Sequence, residues 1–280
     1  MDARELHALA RAAGVQYDDL VAAQLFGDVR RAQYCTSYAV LGPATRTGEC
    51  IAGRNMDYWD NGVSAYAAML LHATPEDGLP FVTVTWAGII NGWTAMNAAG
   101  VVSSNNTAYG AESESLDGIS TCFLLRKVVQ WARTVAEGVR IVEEGPRACG
   151  TNLLIAGGSP PDAAIVEFDH ARVAVRRAEK GYVLADNSFR ALYQEGSTWG
   201  DWEGSRYGTL RRLIEGSYGR IDPKMNFAGA PGVPITSMNL HSALLLPGSL
   251  RLRVSMGRVP ACEYPYRAFR MTEQGIVSDE

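Results

Sequence analysis

The order of strand-like and helical blocks constrains the fold of this chain more than any other feature of the sequence. Residues 36–105 contain short β-type runs divided by Gly, Pro and Asn, and Phe81–Trp86 alternates with period two. Such alternation is typical of a half-buried antiparallel strand. Strand-like runs return at 151–186, after a helix pair predicted within 117–145, and again in the tail. Strands, a helix pair, strands and a further helix predict stacked sheets covered by helices within one domain.

The boundaries of these elements follow from apolar spacing and turn residues. Residues 4–32 are predicted to form two helices separated at Gly14, and a last helix is predicted at about 203–216. Thr134 and Glu137 have the spacing of a capping box at the start of a helix. The clearest predicted strands are Thr36–Leu41, Cys50–Arg54, Ala65–Leu71, Phe81–Trp86, Val101–Asn105, Asn152–Ala156, Ala163–Phe168, Arg172–Val175 and Tyr182–Ala185.

Composition and charge exclude several classes of protein. Of the 280 residues, 47% are hydrophobic and 20% charged, which is typical of a globular chain rather than a disordered one. The net charge of −4 makes nucleic acid an improbable partner. No apolar stretch approaches the length of a membrane span. Residues 1–6 lack the apolar core of a secretory signal, so we expect a cytoplasmic protein.

The cysteines and histidines do not form the patterns of a metal site or a disulfide framework. There are five cysteines, an odd number, and none stands in a CxxC pair. The four histidines form neither HxxxH nor HExxH, and the Walker, GxGxxG and GxSxG motifs are missing. We therefore expect no metal and no cofactor. The cysteines are Cys35, Cys50, Cys122, Cys149 and Cys262, and we expect all except Cys35 to be core residues.

Cys35 is the strongest candidate for chemistry. It begins one strand-like run, and Arg54 and Asp57 stand three residues apart at the end of another. These two charges permit two interpretations. They form a surface ion pair that contributes little to stability, or they tune a thiol and position its base.

Two motifs in this region resemble a known family. Cys-Thr-Ser at 35–37, followed by Gly-Arg-Asn-Met-Asp-Tyr at 53–58, resembles the start of the mature chain in N-terminal-nucleophile (Ntn) hydrolases of the linear-amide type. That family includes choloylglycine hydrolase, penicillin V acylase, N-acylethanolamine acid amidase and isopenicillin N acyltransferase. The hairpin between the two motifs is slightly longer here than is usual in the family.

The resemblance extends over nearly the whole chain. Residues 96–101 resemble a family strand turn, although Ala98 replaces its usual acid, and the segments 103–107, 186–188 and 205–207 follow in the family's order. Upstream, residues 10–21 resemble the propeptide of the acyltransferase-like branch. That propeptide is shorter than expected, and residues 155–161 also depart from the family pattern.

The resemblance implies an α+β fold, a four-layer αββα sandwich of two antiparallel sheets flanked by helices. It implies a helical propeptide over residues 1–34 and an Ntn-hydrolase catalytic domain over residues 35–280. It also implies that the precursor cuts itself between Tyr34 and Cys35. Self-cleavage explains the missing catalytic histidine, because a new α-amine with a pKa near 7.7–8 is roughly 10–20% neutral at pH 7 and can serve as the base.

The resemblance also assigns roles to individual residues. Cys35 is implied as the nucleophile, Asp57 as the acceptor that orients its amine, and Arg54 as the cation near the thiol. Asn187 is implied as the side-chain donor to the oxyanion, a backbone amide at Asn105 or Asn106 as the second donor, and Arg206 as the group that orders the network.

Structural interpretations stay open for several of these residues. Taken alone, Asn187 is also typical of a turn, the asparagines at 105 and 106 of a strand end, and Arg206 of an exposed helix position. His241 is interpreted as a satisfied, partly buried imidazole. Trp59 and Trp93 are candidates for lining an acyl pocket; the alternative is a core role, which is also expected of Trp86, Trp199 and Trp202.

The resulting expectation is a hydrolase of a linear N-acyl amide, working through a thioester. The alternatives are an acyltransferase with a small amine acceptor, an enzyme acting on esters or thioesters, and an uncleaved scaffold that binds an acyl ligand. The expected partner is a small acyl amide or acyl thioester, and the sequence is compatible with a homo-oligomer.

Overall fold

Two sheets of seven strands form the centre of the computed structural model, which describes residues 3–31, 33–59, 62, 64–193 and 204–279. The strands are β1 Gln33–Gly42, β2 Gly48–Tyr58, β3 Ala68–Ala73, β4 Phe81–Trp86, β5 Thr94–Asn97, β6 Val101–Thr107, β7 Thr151–Gly158, β8 Pro161–Phe168, β9 Val173–Arg177, β10 Tyr182–Ala185, β11 Asn239–Leu246, β12 Arg251–Met256, β13 Arg267–Thr272 and β14 Gly275–Ser278. The helices are α1 Ala3–Ala13, α2 Tyr17–Arg30, α3 Ser64–Ala67, α4 Thr121–Trp131, α5 Val135–Glu144 and α6 Arg206–Gly216.

Both sheets are antiparallel and stack face to face. The first has the order β10-β1-β2-β11-β12-β13-β14, and the second the order β3-β4-β5-β6-β7-β8-β9. Small side chains such as Ala39 and Ala52 in the first sheet pack against Val82 and Leu154 in the second. Because successive side chains along a strand point to opposite faces, the other side chains of each sheet lie on its outer face, where helices can pack.

The helices cover the two outer faces. Helices α4 and α5 bury Leu125 and Val139 against the second sheet, whereas α6 buries Leu210 and Ile214 against the first. The layers therefore run helix, sheet, sheet, helix, and the predicted αββα sandwich is confirmed. Among the described residues, no helix combines the length and the apolar character needed to cross a bilayer.

The element boundaries match the predictions with a few exceptions. The predicted strand Ala65–Leu71 starts at Ala68, because Ser64–Ala67 form a helical turn. Strand β5 was not predicted. Thr134 caps α5 by accepting from the Glu137 amide, but the Glu137 carboxylate accepts from the Arg133 amide rather than from Thr134. Part of the predicted helix 203–216 lies outside the described residues, since α6 begins at Arg206.

The segment before Cys35 is docked on the sandwich by polar and apolar contacts. The side-chain amide of the buried Gln24 forms two hydrogen bonds. Its nitrogen donates to the Gly88 carbonyl at 2.7 Å, and its oxygen accepts from the Ile90 amide at 2.9 Å. Glu5 forms an ion pair of 2.9 Å with the buried Arg126 of α4. Leu6, Ala10 and Leu20 pack against Ile90. The segment therefore belongs to the same folded body as the sheets.

The cysteines other than Cys35 have no disulfide partners. Cys50, Cys122 and Cys149 are buried, as expected of core residues, whereas Cys262 is only partly buried. Burial raises the pKa of the Cys50 thiol to about 12, which keeps it protonated and unreactive.

Gly53 tests the packing of the first sheet. A Cβ at this position of β2 would overlap the ring of Tyr38, which is 1% exposed and has no room to move. We expect Gly53→Ala to lower the free energy of unfolding by about 1–3 kcal/mol through overpacking, measured by urea denaturation. Gly216→Ala is the control, because nothing lies within 4 Å of a Cβ there. Equal stability of the two variants would contradict this packing.

Candidate active site

The thiol of Cys35 lies between the two sheets beside a buried guanidinium. Cys35 pairs with Met56 and Ser37 with Arg54 in the β1–β2 register, so all four side chains share the inner face. The Nη2 atom of Arg54 lies 3.4 Å from the Sγ atom of Cys35, and both residues are 0% exposed. The structure thus brings together the two side chains that the family resemblance places near each other.

The charge of Arg54 is otherwise met by neutral groups. Its Nη1 atom donates to the Trp93 carbonyl at 2.5 Å and to the Thr94 hydroxyl, and Nε has no partner among the residues that the structure describes. No carboxylate forms an ion pair with it within the described part of the chain. A buried cation without a paired anion is costly, so a negative charge on the neighbouring sulfur would be favoured at this position.

Asn187 brackets the Tyr34–Cys35 junction. Its Oδ1 atom accepts from the Cys35 amide at 2.9 Å, and its Nδ2 atom donates to the carbonyls of Gln33 at 3.1 Å and Thr107 at 2.5 Å. One side chain therefore holds the backbone on both sides of Tyr34. The predicted oxyanion donor is occupied by protein carbonyls in the uncut chain.

Asp57 lies on the opposite face of the first sheet from the Cys35 thiol. It stands across from Tyr34 in the register. Its carboxylate accepts from the Ile235 amide and from Asn239 Nδ2, each at 2.8 Å. With the Tyr34–Cys35 peptide bond intact, the Cys35 amide donates to Asn187. The expectation for Asp57 concerns the α-amine that a cut at this bond would free.

Burial dominates the protonation of Asp57. It raises the pKa of this carboxyl from its ordinary 3.8 to about 6, although the two hydrogen bonds, Arg206 and Arg54 all act to lower it. The Arg206 Nη1 atom is 3.8 Å away, too far to reverse the cost of removing the carboxylate from water.

Arg206 joins these parts. It starts α6, where the Ser205 hydroxyl caps the helix by accepting from the Gly208 amide at 2.9 Å. Its Nη1 atom donates to the Cys35 carbonyl at 2.9 Å, and its Nη2 atom donates to Asn187 Oδ1 at 2.7 Å. The guanidinium thus contacts the backbone of the junction and the side chain that brackets it.

Two buried residues that were not predicted hold the loop of Asn187. Asn152 Nδ2 donates to the carbonyls of Asp186 at 3.0 Å and Ser188 at 2.8 Å, one on each side of Asn187. Glu167 accepts from three successive amides of the same loop, at 190–192. In the sequence, Asn152 and Glu167 are recognisable only as polar residues within apolar strand runs. That pattern does not identify the loop to which they bond.

The two asparagines expected to supply a backbone oxyanion donor have other contacts. The Asn105 amide donates to the Trp93 carbonyl at 2.8 Å, so it is already used. The Asn106 side chain donates to the Ser37 hydroxyl at 2.5 Å and to the Asn152 carbonyl at 3.1 Å, which ties the two sheets together.

An apolar cleft of about 390 Å³ opens beside Met56 and Trp93, the side chains that pack against Cys35. Of the two tryptophans expected at an acyl pocket, Trp93 lines this cleft, whereas Trp59 is 65% exposed and is not among its described lining residues. Trp199 and Trp202 lie outside the described residues. The other lining residues are Ala23, Phe26, Gly27, Gln33, Tyr58, Ser64, Ala67, Trp86, Ala87, Ile89 and Leu240.

The raised pKa of Asp57 predicts a pH-dependent stability. Between its unfolded value near 4 and its folded value near 6, the folded state binds more protons, so ionisation of Asp57 destabilises the fold as pH rises. We expect the free energy of unfolding of Cys35→Ser protein to fall by about 2–3 kcal/mol between pH 4 and 6, relative to that of Cys35→Ser/Asp57→Asn protein. Urea denaturation measures both values. A constant difference across this range would contradict the burial of an uncompensated carboxyl.

Comparisons with known proteins agree with this geometry. The profile of the acyl-coenzyme A:6-aminopenicillanic acid acyl-transferase family matches residues 45–226, which include Arg54, Asp57, Asn187 and Arg206 but begin after Cys35. An uncharacterized protein of Archaeoglobus fulgidus is 23% identical over 67% of this chain and 35% of its own length. Protein dcd1B of Dictyostelium discoideum is 23% identical over 58% of this chain and 33% of its own length. The chain thus spans about a third of these relatives.

Solved structures share the fold at low sequence identity. The Caenorhabditis elegans ortholog of N-acylethanolamine-hydrolyzing acid amidase has a TM-score of 0.62 at 16% identity, covering 76% of this chain and 93% of its own. A mutant of conjugated bile acid hydrolase from Clostridium perfringens has a TM-score of 0.61 at 13% identity, covering 88% and 96%. With more than half of its length matched by the family profile, this chain is a member of the acyl-coenzyme A:6-aminopenicillanic acid acyl-transferase family with the Ntn-hydrolase fold.

Proposed function

We propose that this chain is a cysteine Ntn hydrolase that cuts itself between Tyr34 and Cys35 and then hydrolyses a linear N-acyl amide. The contact that carries this proposal is between the Cys35 sulfur and Arg54, 3.4 Å apart and both buried. A second support is the hydrogen bond from the Cys35 amide to Asn187, because it holds the nitrogen of the proposed scissile bond.

The first step releases the nucleophile. The Cys35 sulfur attacks the Tyr34 carbonyl carbon, the carbon–nitrogen bond breaks, and the thiol proton passes to the new amine. Water then hydrolyses the thioester, leaving a carboxylate on Tyr34 and a free thiol and amine on Cys35. The Tyr34 side chain is 40% exposed, so solvent lies beside the junction. Arg54 stabilises the charge that develops on the sulfur.

The second reaction uses the new amine as its base. The amine takes the thiol proton as the sulfur attacks the substrate amide, then passes that proton to the leaving amine. Water hydrolyses the resulting thioester. Asp57, opposite Tyr34 in the register, lies beside the new chain end and orients it. Asn187 Nδ2 donates to the oxyanion once the Gln33 carbonyl moves away after the cut.

Residues 1–34 stay attached as a helical fragment beside the catalytic domain formed by 35–280. The Glu5–Arg126 ion pair and both Gln24 hydrogen bonds cross between the two pieces and do not involve the cut bond. Helix α2 also supplies Ala23, Phe26 and Gly27 to the cleft. The fragment therefore completes the binding surface of the cut enzyme.

The lining of the cleft supports one class of acyl group. The described lining residues are apolar apart from Gln33, Ser64 and the phenol of Tyr58, and none of them is charged. An uncharged apolar acyl group fits this surface. The two structural neighbours are named as hydrolases of an N-acylethanolamine and of conjugated bile acids, which agrees with cleavage of an amide.

The second candidate is acyl transfer to a small amine, and the name of the matched family favours it. Both reactions share the thioester and differ only in whether water or an amine attacks it. Matched amide, ester and thioester substrates, assayed with and without amine acceptors, separate them. Release of the free acid alone supports hydrolysis, whereas an acylated amine as the main product supports transfer.

Cys35→Ala tests self-cleavage and catalysis together. Wild-type protein is expected to give fragments 1–34 and 35–280 by intact mass, whereas the variant stays full-length and shows no amidase activity, since it has no sulfur to attack either carbonyl. Cys50→Ala is the matched control, because Cys50 is also buried in the first sheet but its thiol is inert. An uncut wild-type chain with full activity would refute the mechanism. An uncut chain that never reacts with an acylating probe at Cys35 would support the scaffold alternative.

Asn187→Ala tests the oxyanion assignment. Loss of one such donor lowers kcat by roughly 10²–10³-fold while KM changes little. The measurement is steady-state kinetics on the fraction of variant protein that matures. A change confined to KM would show that Asn187 binds substrate instead of stabilising the transition state.

A further inference from the structure

Two buried polar side chains that have no role in the proposed reaction converge on Arg54. Thr94 belongs to β5 in the second sheet and His241 to β11 in the first. The Thr94 hydroxyl accepts from Arg54 Nη1 and lies 2.9 Å from His241 Nε2. Thr94 and His241 are both 0% exposed. A chain of contacts therefore runs from the imidazole through the hydroxyl and the guanidinium to the Cys35 sulfur.

The direction of these hydrogen bonds follows from what each group can donate. A guanidinium only donates, so the Thr94 oxygen accepts from it and directs its own proton elsewhere. The imidazole Nε2 atom is the acceptor in reach, which places the ring proton on Nδ1. Burial and the charge of Arg54 lower the pKa of His241 well below its ordinary value, so the ring is neutral.

This arrangement differs from the expected satisfied imidazole, because Nδ1 has no partner among the described residues. A buried polar atom without a partner costs stability. The Trp86 ring, 5.8 Å from the imidazole, and the neighbouring Met56 of β2 pack around it. The imidazole is therefore a polar group with one unsatisfied ring atom at a fully buried position.

We propose that Thr94 and His241 are positioning residues that hold the Arg54 guanidinium against the Cys35 sulfur. Without the Thr94 oxygen, Nη1 keeps only the Trp93 carbonyl and the guanidinium can swing away from the thiol. The effect on catalysis rests on the proposed function, but the placement of Arg54 does not. His241 acts through Thr94 and touches neither the sulfur nor the cleft.

The thiolate form of Cys35 provides a direct readout. Its ultraviolet absorbance, taken as the difference from the same protein carrying Cys35→Ser, gives a titration midpoint in cut and uncut protein alike. Other charged or titratable groups near the thiol are Asp57, Arg206 and Tyr109. These three groups are unchanged in every variant, so a shift of the titration midpoint reports on the position of Arg54.

Two matched pairs of variants test the proposal. Thr94→Val removes the hydroxyl and Thr94→Ser retains it; His241→Leu removes the acceptor and His241→Gln supplies an amide oxygen in its place. We expect the Val and Leu variants to raise the midpoint by about 0.5–1 pH unit and to lower kcat by about tenfold with KM unchanged. The Ser and Gln variants are expected to stay close to wild type.

Ser103→Ala controls for a change of buried polarity, since Ser103 lies in β6 opposite Ala95 and has a buried hydroxyl with no partner among the described residues. An unshifted midpoint in both the Val and Leu variants, or equal shifts within each pair, would overturn the proposal. If one pair does not fold, the other decides. A shifted midpoint without any amidase activity would support the positioning role while refuting the proposed function.

Discussion

The contact between a buried cation and the Cys35 sulfur governs the architecture of this site. Arg54 has no exposed surface and no carboxylate partner in the described part of the chain, so its charge is balanced by carbonyl, hydroxyl and sulfur atoms. Two sheets are needed to assemble these atoms. The first supplies the cation and the sulfur, and the second supplies the Trp93 carbonyl and the Thr94 hydroxyl.

The pleat of the first sheet separates the remaining functions. Cys35 and Arg54 point inward between the sheets, whereas Asp57, an odd number of residues further along β2, points outward. Asn187 and Arg206 hold the backbone of Cys35, so in the proposed mechanism the sulfur and the Asp57 carboxylate would act from opposite sides of one strand pair. Asn152 and Glu167 stabilise the loop from which Asn187 reaches the junction.

Local pattern was sufficient to predict stacked sheets covered by helices. The position of Arg54 near the Cys35 thiol was implied by the family resemblance, because the residues alone left a surface ion pair with Asp57 open. Contacts between the sheets could not be predicted in this way. Thr94 and His241 are 147 residues apart, and the four-residue strand that carries Thr94 was too short to recognise. Trp59 follows the last residue of β2, Tyr58, so the alternation of that strand does not orient its side chain.

Gly27 gives the upstream segment an influence on the width of the cleft. Its Cα lies so close to Trp93 and Gln33 that a Cβ would be 2.8 Å from the Gln33 amide nitrogen and 3.1 Å from the indole. Any larger side chain at this position of α2 would therefore narrow the cleft from the side of the fragment that is not part of the catalytic domain. If a cut divides the chain into two pieces that stay associated, selectivity for the acyl chain depends on both pieces. Exchanging the short piece between homologous proteins would then alter specificity without changing any reacting atom.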